Sequence, residues 1–151
     1  MATSHPGPAP VHFEGTTPIL RVADVAASID HYVKVLGFKL DWGTEGYFAS
    51  VSRGRSSIFL CQGDQGHPGT WVWIGVEDVD RLLEEYTQKG AKVRHPPTNY
   101  PWACEMQIED LDGNILRMGS EPKPGVPEGE WLDMNGVRWI KNPAGGYQRL
   151  N

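Results

Sequence analysis

Apolar positions along the chain change their period in a repeating order. Over residues 17–22 they alternate with polar ones, which predicts a strand. Asp24 then precedes Val25, Ile29, Tyr32, Val33 and Leu36, a spacing that places all five on one side of a helix. Asp24 offers the N-cap and Gly37 the left-handed stop. Three strand-like runs follow, at 38–43, 47–52 and 57–62, divided by glycine turns at Gly46 and Gly54.

The same order recurs. Residues 71–76 predict a strand, Asp78 caps a helix carrying Val79, Leu82, Leu83 and Tyr86, and Gly90 ends it. Strands follow at 92–95, 103–109 and 114–119, the last two joined by the tight turn Asp112-Gly113. Val22-Ala23-Asp24-Val25 in the first half answers Val76-Glu77-Asp78-Val79 in the second. The chain therefore reads as an α+β fold of paired βαβββ modules, about 16–64 and 70–121, neither with enough core to stand alone. Residues 1–15, rich in proline and glycine, read as a disordered arm. Residues 122–151 form an extension with a hairpin at Asn135-Gly136. Its Trp131 and Trp139 are expected against the domain edge or a partner subunit, because exposed they would make an apolar patch.

Alternation also sorts each strand into two faces. Pro18, Leu20, Val22, Val72, Ile74, Val76, Leu116 and Met118 belong beneath the helices. Thr17, Ile19, Arg21, Trp71, Trp73, Gly75, Ile115 and Arg117 belong to the opposite, concave side. Two such sheets form a trough whose lining mixes aromatic and polar groups.

Composition removes several classes of partner. The 14 basic and 19 acidic side chains give a net charge of −5, with no basic stripe for nucleic acid or anionic lipid. No apolar run has signal-peptide or membrane-span length. Cys61 and Cys104, on different predicted strands, make neither a disulfide framework nor a zinc pair, which fits a reducing cytoplasm. His5 and His12 sit in the arm, His31 on a helix, His67 between the modules and His95 before two prolines, so each reads as a solvated or locally bonded ring. There is no phosphate loop, nucleophile elbow or CxxC pair. Glu45, Glu105 and Glu109 are the carboxylates available for acid–base work, but on strands they are expected to be exposed.

Three motifs in order carry a resemblance: the run from Thr17-Pro18-Ile19-Leu20-Arg21-Val22-Ala23-Asp24 to Ser28, the strand Trp71-Val72-Trp73-Ile74-Gly75-Val76, and Pro101-Trp102 followed by Glu109-Asp110-Leu111-Asp112-Gly113-Asn114. Together they resemble the glyoxalase/bleomycin-resistance/extradiol-dioxygenase (vicinal oxygen chelate) superfamily, and within it the bleomycin-resistance proteins. The resemblance covers about 16–121 and implies a curved mixed sheet with a concave cleft.

Metal-dependent members of that superfamily place His, Glu or Gln on strands one, four, five and eight. Here the matching positions hold Thr17, Phe59 or Leu60 with Cys61 and Gln62 adjacent, Trp71, and Arg117. A hydroxyl, an indole and a guanidinium are unsuited to holding a divalent ion, so neither a metal nor another cofactor is expected. The resemblance instead implies that Trp42, Phe48, Trp71 and Trp102 line a drug groove, stacking on a planar, cationic heteroaromatic such as a bleomycin. Trp73 is assigned to the core. Arg117 either pairs with a carboxylate, with Arg21, Glu105 and Glu109 as its charged neighbours, or faces the ligand. Residues 97–102, stiffened by proline, form the groove's lip. The expectation is a cytoplasmic homodimer that sequesters a small molecule without modifying it. The alternatives are a glyoxalase- or dioxygenase-like enzyme with an atypical ligand set, or a scaffold acting through its extension.

Overall fold

The computed structural model describes residues 7–150. Part of the expected arm, 1–6, lies outside these, and residues 7–18 carry no regular secondary structure. The first module then runs β1 (Ile19–Arg21), α1 (Val25–Lys34), β2 (Lys39–Thr44), β3 (Phe48–Arg53) and β4 (Ser56–Cys61). The second repeats it as β5 (Trp71–Gly75), α2 (Val79–Lys89), β6 (Lys92–Asn99), β7 (Cys104–Glu109) and β8 (Ile115–Ser120). Their sheets share one topology, β1-β4-β3-β2 and β5-β8-β7-β6, with the first strand of each parallel to its neighbour and all other pairs antiparallel.

Local chemistry explains where the helices begin and end. Asp24 accepts a hydrogen bond from the Ala27 amide at 3.1 Å, and Asp78 from the Asp80 and Arg81 amides, both at 3.1 Å. The Gln62 side chain, at the end of β4, accepts from the Val25 amide at 2.9 Å and so serves another open donor of α1. Gly90 closes α2 at φ +75°, a conformation that a side chain would strain.

Both helices bury their apolar stripe on the sheets. Leu20, Val22, Leu116 and Met118 are buried, as the strand alternation predicts, and Leu60, Met106 and Ile108 are buried with them. On α1 the buried stripe is Val25, Ser28 and Tyr32, continued by Leu36, while Ile29 is half-buried and Val33 exposed. Val33 was expected on the inner side, but one residue beyond Tyr32 it lies about 100° further round the helix. Strand β6 also runs past the expected 92–95 and through Pro96 and Pro97. It tolerates them because it is an edge strand whose pairing with β7 slips twice.

A polar seam joins the modules. Asp110, buried in the β7–β8 turn, accepts from the Tyr32 hydroxyl (2.9 Å), the Asn114 amide group (3.0 Å) and the Asp112 and Asn114 backbone amides (2.8 and 2.9 Å). Burial and the adjacent Asp110 push the Tyr32 hydroxyl pKa well above its ordinary value. Asp112 accepts from the Ala23 amide, and Arg53 grips Glu85 bidentately at 2.6 and 2.9 Å. The Tyr86 hydroxyl donates to the Leu36 carbonyl at 2.8 Å.

The extension forms an antiparallel sheet of β9 (Trp131–Leu132), β10 (Arg138–Lys141) and β11 (Tyr147–Arg149). Asn135-Gly136 forms the turn between β9 and β10, with Gly136 at φ +78°. The third strand was not expected; the turn before it is closed by Asn142, whose side chain accepts from the Ala144 and Gly146 amides.

Asp110 generates a stability prediction. Asp110→Ala leaves the buried Tyr32 hydroxyl and the Asp112 and Asn114 backbone amides without this acceptor, and should cost about 3 kcal/mol or more in urea denaturation. A loss below about 1 kcal/mol would show that the seam does not hold the modules together.

Candidate functional site

The concave face of the second sheet is built on one buried carboxylate. Glu105 points out of β7 yet is only 3 % exposed, contrary to the expectation that strand carboxylates lie in solvent. It survives burial because its charge is matched. Arg117, its neighbour on β8, donates through Nε and Nη2 at 2.8 and 2.9 Å, and the Trp102 indole N–H donates to the same carboxylate. Of the two roles open to Arg117, pairing is the one the geometry shows.

That carboxylate fixes the aromatic walls. Trp102, held at its indole nitrogen, stacks on Tyr100 with centroids 5.0 Å apart and planes 10° from parallel. Burial pushes the Tyr100 hydroxyl up to about 12, so it stays a neutral donor, here to the Glu130 carbonyl at 2.9 Å. Trp71 lies under the guanidinium of Arg94, 5.3 Å from ring centroid to Cζ. These rings and the Glu105–Arg117 pair bound a cavity of about 360 Å³, closed by Trp131, Leu132, Asp133 and Met134 of the extension. The extension's part was missed in the sequence: Trp131 was read only as a packing residue.

Three of the five expected ligand residues, Trp71, Trp102 and Arg117, therefore meet in one cavity. Trp42 and Phe48 do not line it. They stack on each other at 5.8 Å and 10°, with Phe59 against both at 5.4 Å, on the open face of the first sheet. Thus the cavity is enclosed by one module and the extension, not by a trough between two sheets. Trp73, assigned to the core, is 54 % exposed. It stands on the concave side beside Arg117, and Gly75 and Gly119 make room for its ring: a Cβ at Gly119 would come within 3.0 Å of it.

A wider hollow of about 520 Å³ opens where α2 meets the first module. Within its lining Arg53 is committed to Glu85 and Asp78 to the start of α2, and its aromatic rings, Phe38 and Tyr86, belong to the core. The smaller cavity is the better candidate because it presents accessible rings: Trp71 and Trp131 are half-buried, as is Arg117, and Trp102 is exposed.

The residues present do not fit a divalent ion. Leu60 is wholly buried, so Phe59 is the β4 side chain on the outer face, joining Thr17, Trp71 and Arg117 at the positions where the resemblance would place metal ligands. Phe59 and Trp71 have no lone pair to donate, and Arg117 is a cation. Among the described residues, no three His, Cys, Asp or Glu side chains converge as a metal-binding group.

Comparison with known proteins bears on this geometry. A family model described as the glyoxalase/bleomycin resistance protein/dioxygenase superfamily matches residues 10–118. Among solved structures, the chain is similar to a bleomycin-binding protein from bleomycin-producing Streptomyces verticillus, crystallised with copper(II)-bleomycin. That similarity has 28 % identity and a TM-score of 0.63, over 75 % of this chain and 99 % of the other. A glyoxalase/bleomycin resistance protein from Streptomyces sp. CB03234 is 25 % identical, with a TM-score of 0.59, over 68 % and 96 %. TnmS3, an antibiotic binding protein from the same strain, shares the fold at 24 % identity and a TM-score of 0.61, over 74 % and 100 %. No curated protein matches.

Proposed function

The chain belongs to the glyoxalase/bleomycin resistance protein/dioxygenase superfamily, and from this we propose that it binds a planar, cationic heteroaromatic in the second-module cavity and returns it unmodified. The observation that carries this reading is the cavity itself: aromatic walls around a carboxylate already neutralised by Arg117. Flat rings attract planar π-systems and cations over their faces, about 0.5 to 2 kcal/mol each. Acid–base or nucleophilic chemistry needs a free base beside a reactive group, and here the one buried carboxylate is spent on Arg117 and Trp102. The bleomycin-binding relative supports a ligand of bleomycin type.

The chain acts as a homodimer in this reading. Trp42 and Tyr47 are exposed at the Trp42–Phe48–Phe59 cluster, giving the first sheet an uncovered apolar face that a second copy would bury. Trp42 and Phe48 are thereby assigned to the subunit face. Cys61 and Cys104, buried and free, suit a reducing cytoplasm, and no described helix is long and apolar enough to cross a membrane.

Two measurements test this. Titration with bleomycin, together with a thermal-shift panel of cationic heteroaromatics, should give saturable quenching of tryptophan fluorescence and a raised melting temperature, with the ligand recovered intact. Trp102→Ala should weaken binding about tenfold. Absence of binding across the panel, or recovery of an altered ligand, contradicts the proposal. Separately, Trp42→Asp should shift the mass seen by light scattering from dimer to monomer; a parent protein that is already monomeric removes the dimer.

A further inference from the structure

The extension lies beyond the family-model match, yet side-chain hydrogen bonds tie it to the second module. Asn99, buried at the end of β6, donates to the Lys123 and Val126 carbonyls at 3.1 and 2.9 Å and accepts from the Lys123 amide at 2.8 Å. The Gln107 side chain donates to the Leu132 carbonyl at 2.8 Å, and Arg94 donates to the carbonyls of Leu132 and Asp133. These anchors grip backbone groups, so none of them occupies the side chains of Trp131 and Met134. Trp131 is braced within the extension, stacked on Trp139 at 6.2 Å and 8° and meeting Tyr147 edge-on at 4.6 Å. Trp139 is itself held by Asp133, which accepts its indole N–H at 2.8 Å. The same carboxylate accepts from the Asn135 and Val137 amides, which shapes the turn presenting Met134.

We infer that the extension is a resident wall of the ligand site, with Trp131 and Met134 contacting the bound ring together with Trp71 and Trp102. This deepens the binding role proposed above and rests on it. A core of pairing, burial and braced rings is what a recognition surface needs, whereas an inert tail needs no aromatic at a cavity wall. The inference also sets the ligand class. At about 360 Å³ the cavity is near the lower end for drug-sized ligands, so it admits a planar system of two or three fused rings while bulkier parts remain outside. Each chain then carries a complete cavity, with the wall supplied in cis by residues 122–150 and not by a second copy.

Proflavine, a planar tricyclic cation that fluoresces, is a suitable probe. Its dissociation constant is measured for the parent and for Trp131→Ala, Met134→Lys and Trp102→Ala. Met134 is 74 % exposed, so its replacement leaves the fold intact even where Trp131→Ala loosens the extension. Trp131→Ala should weaken proflavine at least tenfold, and Met134→Lys at least fivefold by placing a cation at the mouth. Parental affinity in both, with Trp102→Ala still weakened, overturns the wall and leaves the binding role standing. A parent that binds neither proflavine nor the rest of the panel overturns both.

Discussion

A carboxylate buried among aromatic rings must be matched in charge and in hydrogen bonds, and in this protein that requirement falls on Glu105. Taking an ion out of water costs several kcal/mol unless well-placed donors meet it. Glu105 is met by the fork of Arg117 and by the Trp102 indole. The consequence is geometric. Arg117 is committed to Glu105, and Trp102 is fixed edge-first to the sheet with its face stacked on Tyr100. One ion pair thus converts a polar concavity into a neutral floor with aromatic walls.

The two modules repeat one topology but end with different surfaces. In the first, Trp42, Phe48 and Phe59 crowd together on an open face. In the second, the corresponding face is covered by the extension and becomes a cavity. The duplication supplies two equivalent platforms; what covers each one decides its use. Gly75 and Gly119, paired across β5 and β8, let Trp73 lie along the second platform where a side chain would collide.

Much of the scaffold could be read from the residues because it depends on short-range chemistry. Asp24 and Asp78 cap their helices, Gly90 adopts the left-handed turn, and alternation places Leu20, Val22 and Leu116 inside, all local consequences of residue type. The site was legible only in part. Trp71, Trp102 and Arg117 line one cavity without Trp42 and Phe48, and Glu105 was misjudged because burial of a charge depends on a partner twelve residues away on the next strand. Trp73 was misassigned since alternation gives the face of a strand, not whether anything covers that face. The role of Trp131 was hidden for the same reason: its place over the second sheet is set by Asn99, Gln107 and Arg94, all distant in sequence.

The account stands on stacking within a charge-matched floor as the source of ligand affinity. A crystal structure of the protein with a planar heteroaromatic bound tests this most directly. It should show the ring packed against Trp102, with Arg117 still on Glu105 and no protein side chain coordinating an ion. A divalent cation held by protein side chains on the concave face, or a ligand seated away from an undisturbed Trp102, would contradict it.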